Sequence, residues 1–145
     1  MNRSVAWPWR RALAAFCCAW LVADPALAQD PRSTAAQAAA RDWLVVVDRG
    51  DAQASWNAAG KKFRDALSLP NWADALRKER TPRGAVKSRT AFKTAFQKTI
   101  PRVSDGDYAQ VSYATSFANN AQGHESLTLE REIDGKWRVI GYFVR

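Results

Sequence analysis

Residues 77–98 hold eight cations, Arg77, Lys78, Arg80, Arg83, Lys87, Arg89, Lys93 and Lys98, against one acid, Glu79. A run of this kind can hold the phosphate or carboxylate groups of an anionic surface. Its centre, Arg83, Lys87, Arg89 and Lys93, supplies the candidate ligand- or partner-binding residues. The partner would be an anionic envelope component or an acidic protein. Nucleic acid is not expected, because no exposed aromatic series interleaves with these charges to stack bases. The simpler use of such lysines is a solvated guard along an edge strand. Arg89 has a further option: it can point inward and pair with a buried acid.

Other chemistry is thinly represented. His124 is the only imidazole of the chain. It follows Gly123 in what reads as a turn, and a general base would need a cleft and an orienting acid. Its neighbour Glu125 should point to the opposite face if the segment is a strand. Asp48 and Asp51 flank Gly50 and could form an acid–base pair at a cavity mouth; helix capping accounts for Asp51 equally well. The acids show no metal-ligand spacing, and there is no glycine-rich phosphate loop. No catalytic residue, no metal and no cofactor is therefore expected.

Whole-chain arithmetic narrows the classes further. The 145 residues carry a formal net charge of +8, with 47% hydrophobic and 11% aromatic residues. That is too apolar for a disordered chain and long enough for one core. The first segment reads as an export signal. Arg3, Arg10 and Arg11 precede the apolar run Ala12–Ala23, and Ala26-Leu27-Ala28 supplies small residues for cleavage. Twelve helical residues rise only about 18 Å, short of the ~30 Å hydrocarbon core. The expectation is a Sec-type signal over 1–28 and a periplasmic or secreted product of a Gram-negative bacterium, with no transmembrane segment after cleavage. Both cysteines, Cys17 and Cys18, would leave with the signal, so the product would have no disulfide.

The elements follow from periodicity. Residues 29–34 read as a tether and 35–145 as one domain. Ala36, Ala40, Trp43 and Val47 share a helical face. Gly50 and Asp51 end one helix and start the next, in which Trp56, Phe63 and Leu67 align and Gly60 bends or splits the rod. Pro70 opens a third helix bearing Trp72 and Leu76. Four strands follow. In Val86–Phe96 the even positions, including Ser88, Thr90, Phe92 and Thr94, make the buried face, and Lys87, Arg89 and Lys93 the cationic one. Asp107–Ala118 places Val111, Tyr113, Thr115 and Phe117 together. After a turn at Asn119–Gly123, Glu125–Ile133 aligns Leu127, Leu129 and Ile133. Asp134-Gly135 marks a hairpin. Lys136–Val144 is apolar on both faces, with Trp137, Val139 and Phe143 on one and Ile140, Tyr142 and Val144 on the other. This is an α+β domain: about three N-terminal helices packed on a curved four-stranded antiparallel sheet. Trp43, Trp56, Phe92, Tyr113 and Trp137 are core candidates that could also line an apolar pocket. A homodimer through Ile140, Tyr142 and Val144 on the outer sheet face is a further expectation.

Several stretches also resemble a known family: Trp43-Leu44, Val47-Asp48, Gly50-Asp51, Ser55-Trp56, Phe63, Trp72, Arg80, Ser88-Arg89, Asp105-Gly106-Asp107-Tyr108, and above all Asp134-Gly135-Lys136-Trp137-Arg138-Val139 with Gly141-Tyr142. They are similar to the bacterial secreted domain of unknown function 4019. That resemblance implies a nuclear-transport-factor-2-like (cystatin-like) cone and implies no reaction. Arg102 and Val103 depart from it where a Pro-Gly turn would be expected. The functional expectation is thus an exported, non-enzymatic ligand- or partner-binding domain with a basic surface at 77–98. The alternative is a small pocket enzyme using Asp or His as acid and base.

Overall fold

The computed structural model describes residues 30–145, so the signal reading of 1–28 lies outside the described residues. The chain runs α1 (Pro31–Asp48), α2 (Ala52–Ala58), α3 (Lys61–Ala66), α4 (Leu69–Arg80), a 3-10 turn (Thr81–Arg83), β1 (Val86–Gln97), β2 (Tyr108–Phe117), β3 (Asn120–Arg131) and β4 (Trp137–Val144). The strands form one antiparallel sheet in the order β1-β2-β3-β4. The helices pack on one face of it, which is the α+β arrangement expected.

Local chemistry sets the helix ends. Asp30 accepts the Arg32 backbone N–H at 2.9 Å and Pro31 occupies the first turn, so residues 31–34 are helix rather than tether. Asp51 caps α2 by accepting the Ala54 N–H at 2.9 Å. Gly60 splits the expected second helix into α2 and α3, giving four helices. Its N–H donates to the Val139 carbonyl at 2.8 Å, covering part of the free edge of β4. A Cβ at Gly60 would lie 3.0 Å from both Ile140 Cγ2 and Glu132 Oε1, so the close approach depends on the missing side chain. In the loop before β2, Arg102 sits at φ 65, the left-handed conformation that suits glycine.

The core lies between the helices and the sheet. Trp43 is its centre, with ring centroids 6.1 Å from Phe63, 5.6 Å from Trp72 and 5.4 Å from Tyr142. Ala36, Ala40, Leu44 and Val47 of α1 pack with Val111, Leu127, Leu129 and Val139 of the sheet. Buried Ser55 ties the aromatic cluster to α2. Its carbonyl accepts the Trp43 indole N–H at 2.8 Å, and its hydroxyl accepts the Trp72 indole N–H at 2.9 Å.

The sheet departs from simple alternation at its bulges, and each extra residue reverses which side chains face the helices. In β1 the register shifts between Val86 and Ser88 and again between Ala91 and Lys93. Arg89 and Ala91 therefore pair with inward Thr115 and Tyr113, while Ser88 and Thr90 pair with outward Ser116 and Ala114. Phe92 is the extra residue of the second shift and is 57% exposed. The expected face of β1 is thus wrong for Ser88, Thr90, Phe92 and Arg89, and right for Thr94 and Phe96. In β4 the shift falls at Ile140. Val139, Tyr142 and Val144 then share the helix side, and Phe143 points outward, 60% exposed. Ile140, Tyr142 and Val144 do not form an outer face.

The remaining differences lie around β3. It begins at Asn120, so the turn is shorter than expected and His124 is in mid-strand. Gly123 is needed for packing: a Cβ there would come within 2.6 Å of the Phe117 ring. Ile133 is fully exposed in the hairpin turn, not on the Leu127–Leu129 face.

Candidate functional site

Two sites emerge, one on each face of the sheet. On the helix side, the C-terminal residues of α1 and α4 meet the centre of the sheet. Asp48 ends α1 and Arg80 ends α4. Arg89 (β1), Thr115 (β2), Glu125 (β3) and Tyr142 (β4) bring one polar group from every strand. The Glu125 side chain is 0% exposed. Arg89 Nε donates to Glu125 Oε2 at 2.6 Å, and its Nη1 donates to Asp48 Oδ2 at 2.8 Å. Arg80 Nη2 donates to Asp48 Oδ1 at 2.7 Å. The hydroxyls of Thr115 and Tyr142 donate to Glu125 at 2.6 and 2.7 Å. Two guanidiniums thus balance two carboxylates, and both oxygens of each acid accept hydrogen bonds.

The electrostatics follow from this geometry. Burial pushes the Asp48 carboxyl up, and hydrogen bonds from Arg89 and Arg80 outweigh it, leaving its pKa below the ordinary value. Burial disfavours the Arg89 cation, yet its bonds to Asp48 and Glu125 raise its pKa. Burial, then the Glu125 charge, raise the Tyr142 pKa, so the phenol stays protonated and donates. Asp48 is thereby held as a carboxylate. A depressed carboxyl contributes stability that is present above its unfolded pKa and is lost as pH falls through the folded one. For Asp48 the loss begins below about pH 4, near the ordinary value of 3.8. Calorimetry across the acid range should show a shallower fall of the melting temperature for Asp48→Asn than for the unaltered protein.

Of the four candidate binding cations, Arg89 is therefore an internal ion-pair residue. Arg83 donates to Glu79 Oε2 at 3.0 Å and to the Val144 carbonyl at 3.4 Å. Lys87 and Lys93 are exposed. Arg77 and Lys98 pair with Asp74 and Asp107. Among the described residues, only Lys78, Lys87 and Lys93 of the basic segment lack an ion pair within 4.0 Å. Of the segment's paired cations, only Arg80, Arg83 and Arg89 have their own side chains less than a fifth exposed; Arg77 and Lys98 pair at the surface.

The five aromatic candidates do not meet around one cavity. Trp43 and Trp137 border a surface cleft of about 390 Å³ between α1 and β4. Trp56 packs beside the core and donates its indole N–H to the Leu67 carbonyl at 2.7 Å. Tyr113 is buried on the helix side, its hydroxyl without a hydrogen-bond partner. Phe92 lies on the opposite face. Thr94, one of the hydroxyl residues expected beside it, accepts from the Gln37 amide at 2.9 Å on the helix side.

The second site is that opposite face. A trough of about 760 Å³ runs between Phe92 and Phe143 over Gln110, Ser112, Ser126 and Thr128. His124 stands beside Phe92, ring centroids 5.5 Å apart and edge-on. Beyond His124 a second hollow of about 450 Å³ continues over Ser88, Thr90 and Ser116. Gly141 keeps the first trough open opposite Thr128. No side-chain ion pair or hydrogen bond orients the His124 imidazole among the described residues. This site was missed in the sequence because it depends on the β1 and β4 bulges, which no local pattern announced. The period-two hydroxyls of β2 and β3 were its available signal.

A comparison with curated proteins finds no match. A family model described as protein of unknown function (DUF4019) matches residues 39–142. That span runs from the middle of α1 to Tyr142 of β4, stopping short of Phe143, and the chain belongs to this DUF4019 family.

Proposed function

We propose that this chain is an exported, non-enzymatic binding domain that engages its ligand or partner on the outer face of the sheet. The observation that carries the reading is the open trough between Phe92 and Phe143, two phenyl rings held out of the core by bulges. Bulges re-aim side chains, and large apolar side chains turned to solvent around a hollow mark binding surfaces. Export, to the periplasm of a Gram-negative cell, is supported by the order of charges, apolar run and small residues over 1–28. The element order supports the nuclear-transport-factor-2-like reading of the fold. Acid–base catalysis gains nothing from the geometry, since Asp48 and Glu125 are each locked by guanidinium and His124 lacks an orienting acid.

Site-specific photo-crosslinking tests the surface. A photoreactive phenylalanine analogue at position 92 or 143 should yield a higher-mass adduct in the native envelope, and the same probe at position 87 should not. An adduct from position 87 alone would favour an anionic partner on Lys78 and Lys87 and overturn the outer-face reading. So would the absence of adducts from 92 and 143.

A further inference from the structure

The lining of the outer trough specifies what it can hold. It is almost uncharged. Arg145 stands at one rim and Lys93, opposite Ser112 in the strand register, at the other, and the Glu125 carboxylate, though its residue contributes to the floor, is turned to the helix side. A free anion would find only two separate rim cations, Arg145 and Lys93, and a free cation no side-chain carboxylate. The hydroxyls, in contrast, are numerous and idle. Among the described residues, Ser112 and Thr128 of the trough and Ser88, Thr90 and Ser116 of the adjoining hollow make no side-chain hydrogen bond within the protein, and Gln110 spends one N–H on Ser126 Oγ at 3.1 Å. Each hydroxyl offers one donor and two acceptor positions. A purely apolar ligand would dry these groups without compensation.

Two exposed phenyl rings complete the set. They offer flat apolar contact to a ligand that must also satisfy a dense field of neutral donors and acceptors. We infer that the trough binds an uncharged linear saccharide chain, whose hydroxyls meet the Ser, Thr and Gln side chains and whose C–H faces lie on Phe92 and Phe143. A second copy of the chain fits less well. Two sheets packed face to face stand about 10 Å apart, and rows of serine and threonine are too short to fill that gap. The inference rests on the outer-face reading and adds the chemistry of the occupant.

The probes are chitotetraose, cellotetraose and maltotetraose, titrated separately into isotope-labelled protein over residues 29–145 and followed by amide chemical shifts. At least one should give saturable shifts at Ser112, Ser126, Thr128 and Gly141, with an affinity in the millimolar to high-micromolar range. Gly141→Val should weaken that binding at least about tenfold, a change of about 1.4 kcal/mol. A Cβ at Gly141 meets Thr128 at an ordinary 3.6 Å, so the strand accepts the substitution while the trough fills. An unchanged spectrum away from the trough will show that the variant is folded. Absence of shifts with all three sugars at their solubility limits would overturn the proposal. So would sugar shifts confined to another surface, or a doubling of mass in sedimentation with loss of the same amide signals. Crosslinks from positions 92 and 143 without sugar binding would leave the surface standing and remove the saccharide. Loss of both would remove the surface as well.

Discussion

Arg89→Met is expected to cost about 3–5 kcal/mol of stability. The substitution keeps most of the side-chain volume and removes the cation. Glu125 remains fully buried, and Arg80 is left to balance two carboxylates, Asp48 at 2.7 Å and Glu125 at 3.4 Å. The site then carries an uncompensated negative charge in a low-dielectric setting. For a domain of this size the loss corresponds to a fall in melting temperature on the order of 15 °C. Replacing exposed Lys93 by Met instead should change stability by no more than about 0.5 kcal/mol. Urea denaturation of the two variants makes the comparison. The contrast matters because the two residues lie four apart in one basic segment, and only their surroundings tell them apart.

Trp43→Ala should be comparably severe, about 3–5 kcal/mol. Trp43 is 4% exposed and touches Phe63, Trp72 and Tyr142. Removing the indole opens a cavity at the point where α1, α3, α4 and β4 converge, with no flexible side chain placed to refill it. Tyr142 would lose the wall that fixes its hydroxyl on Glu125, so the aromatic and charged halves of the core should loosen together. Trp43→Phe separates the effects. It keeps a ring and loses the bond to the Ser55 carbonyl, which still accepts the Ala59 N–H at 3.1 Å. The loss should then be nearer about 1–2 kcal/mol. Denaturant midpoints for the two variants check the order, and a Trp43→Ala midpoint close to the unaltered protein would remove Trp43 from the centre of the core.

These two positions show what could be read from the chain. Trp43 was legible: its helical spacing from Ala36 and Ala40 places it on a buried stripe whatever the tertiary detail. So were Asp51 as a cap, the break at Gly60, the β2 face and the Asp134-Gly135 hairpin, all set by neighbours in sequence. The face of Arg89 was not. Alternation through β1 put it outside, and the inward option needed a partner acid that only the fold brings near, from residues 48 and 125. Phe92 and Phe143 failed for the same reason. A bulge shifts the side-chain phase by one residue, and nothing within β1 or β4 demands it. With the shifted registers, Arg89 lies opposite Thr115 and both Arg89 and Tyr142 reach Glu125. Ser88 and Thr90 then turn outward as a consequence, and the hollow beside the outer trough acquires hydroxyls assigned to the interior.

The central claim is that Arg80 and Arg89, two cations of the basic segment, serve the fold from within through a charge-balanced cluster. A double-mutant cycle of Arg89→Met and Glu125→Gln tests it most directly. Each single change leaves an unbalanced buried charge, negative in the first and positive in the second. Together they leave Arg80 with Asp48, a neutral pair, while the glutamine oxygen accepts from one of Thr115 and Tyr142 and its amide N–H donates to the hydroxyl oxygen of the other. Denaturation energies should show the double variant less destabilised than the sum of the singles by about 1–3 kcal/mol. Additivity within about 0.5 kcal/mol, with a small effect of Arg89→Met alone, would contradict the account and return Arg89 to the surface.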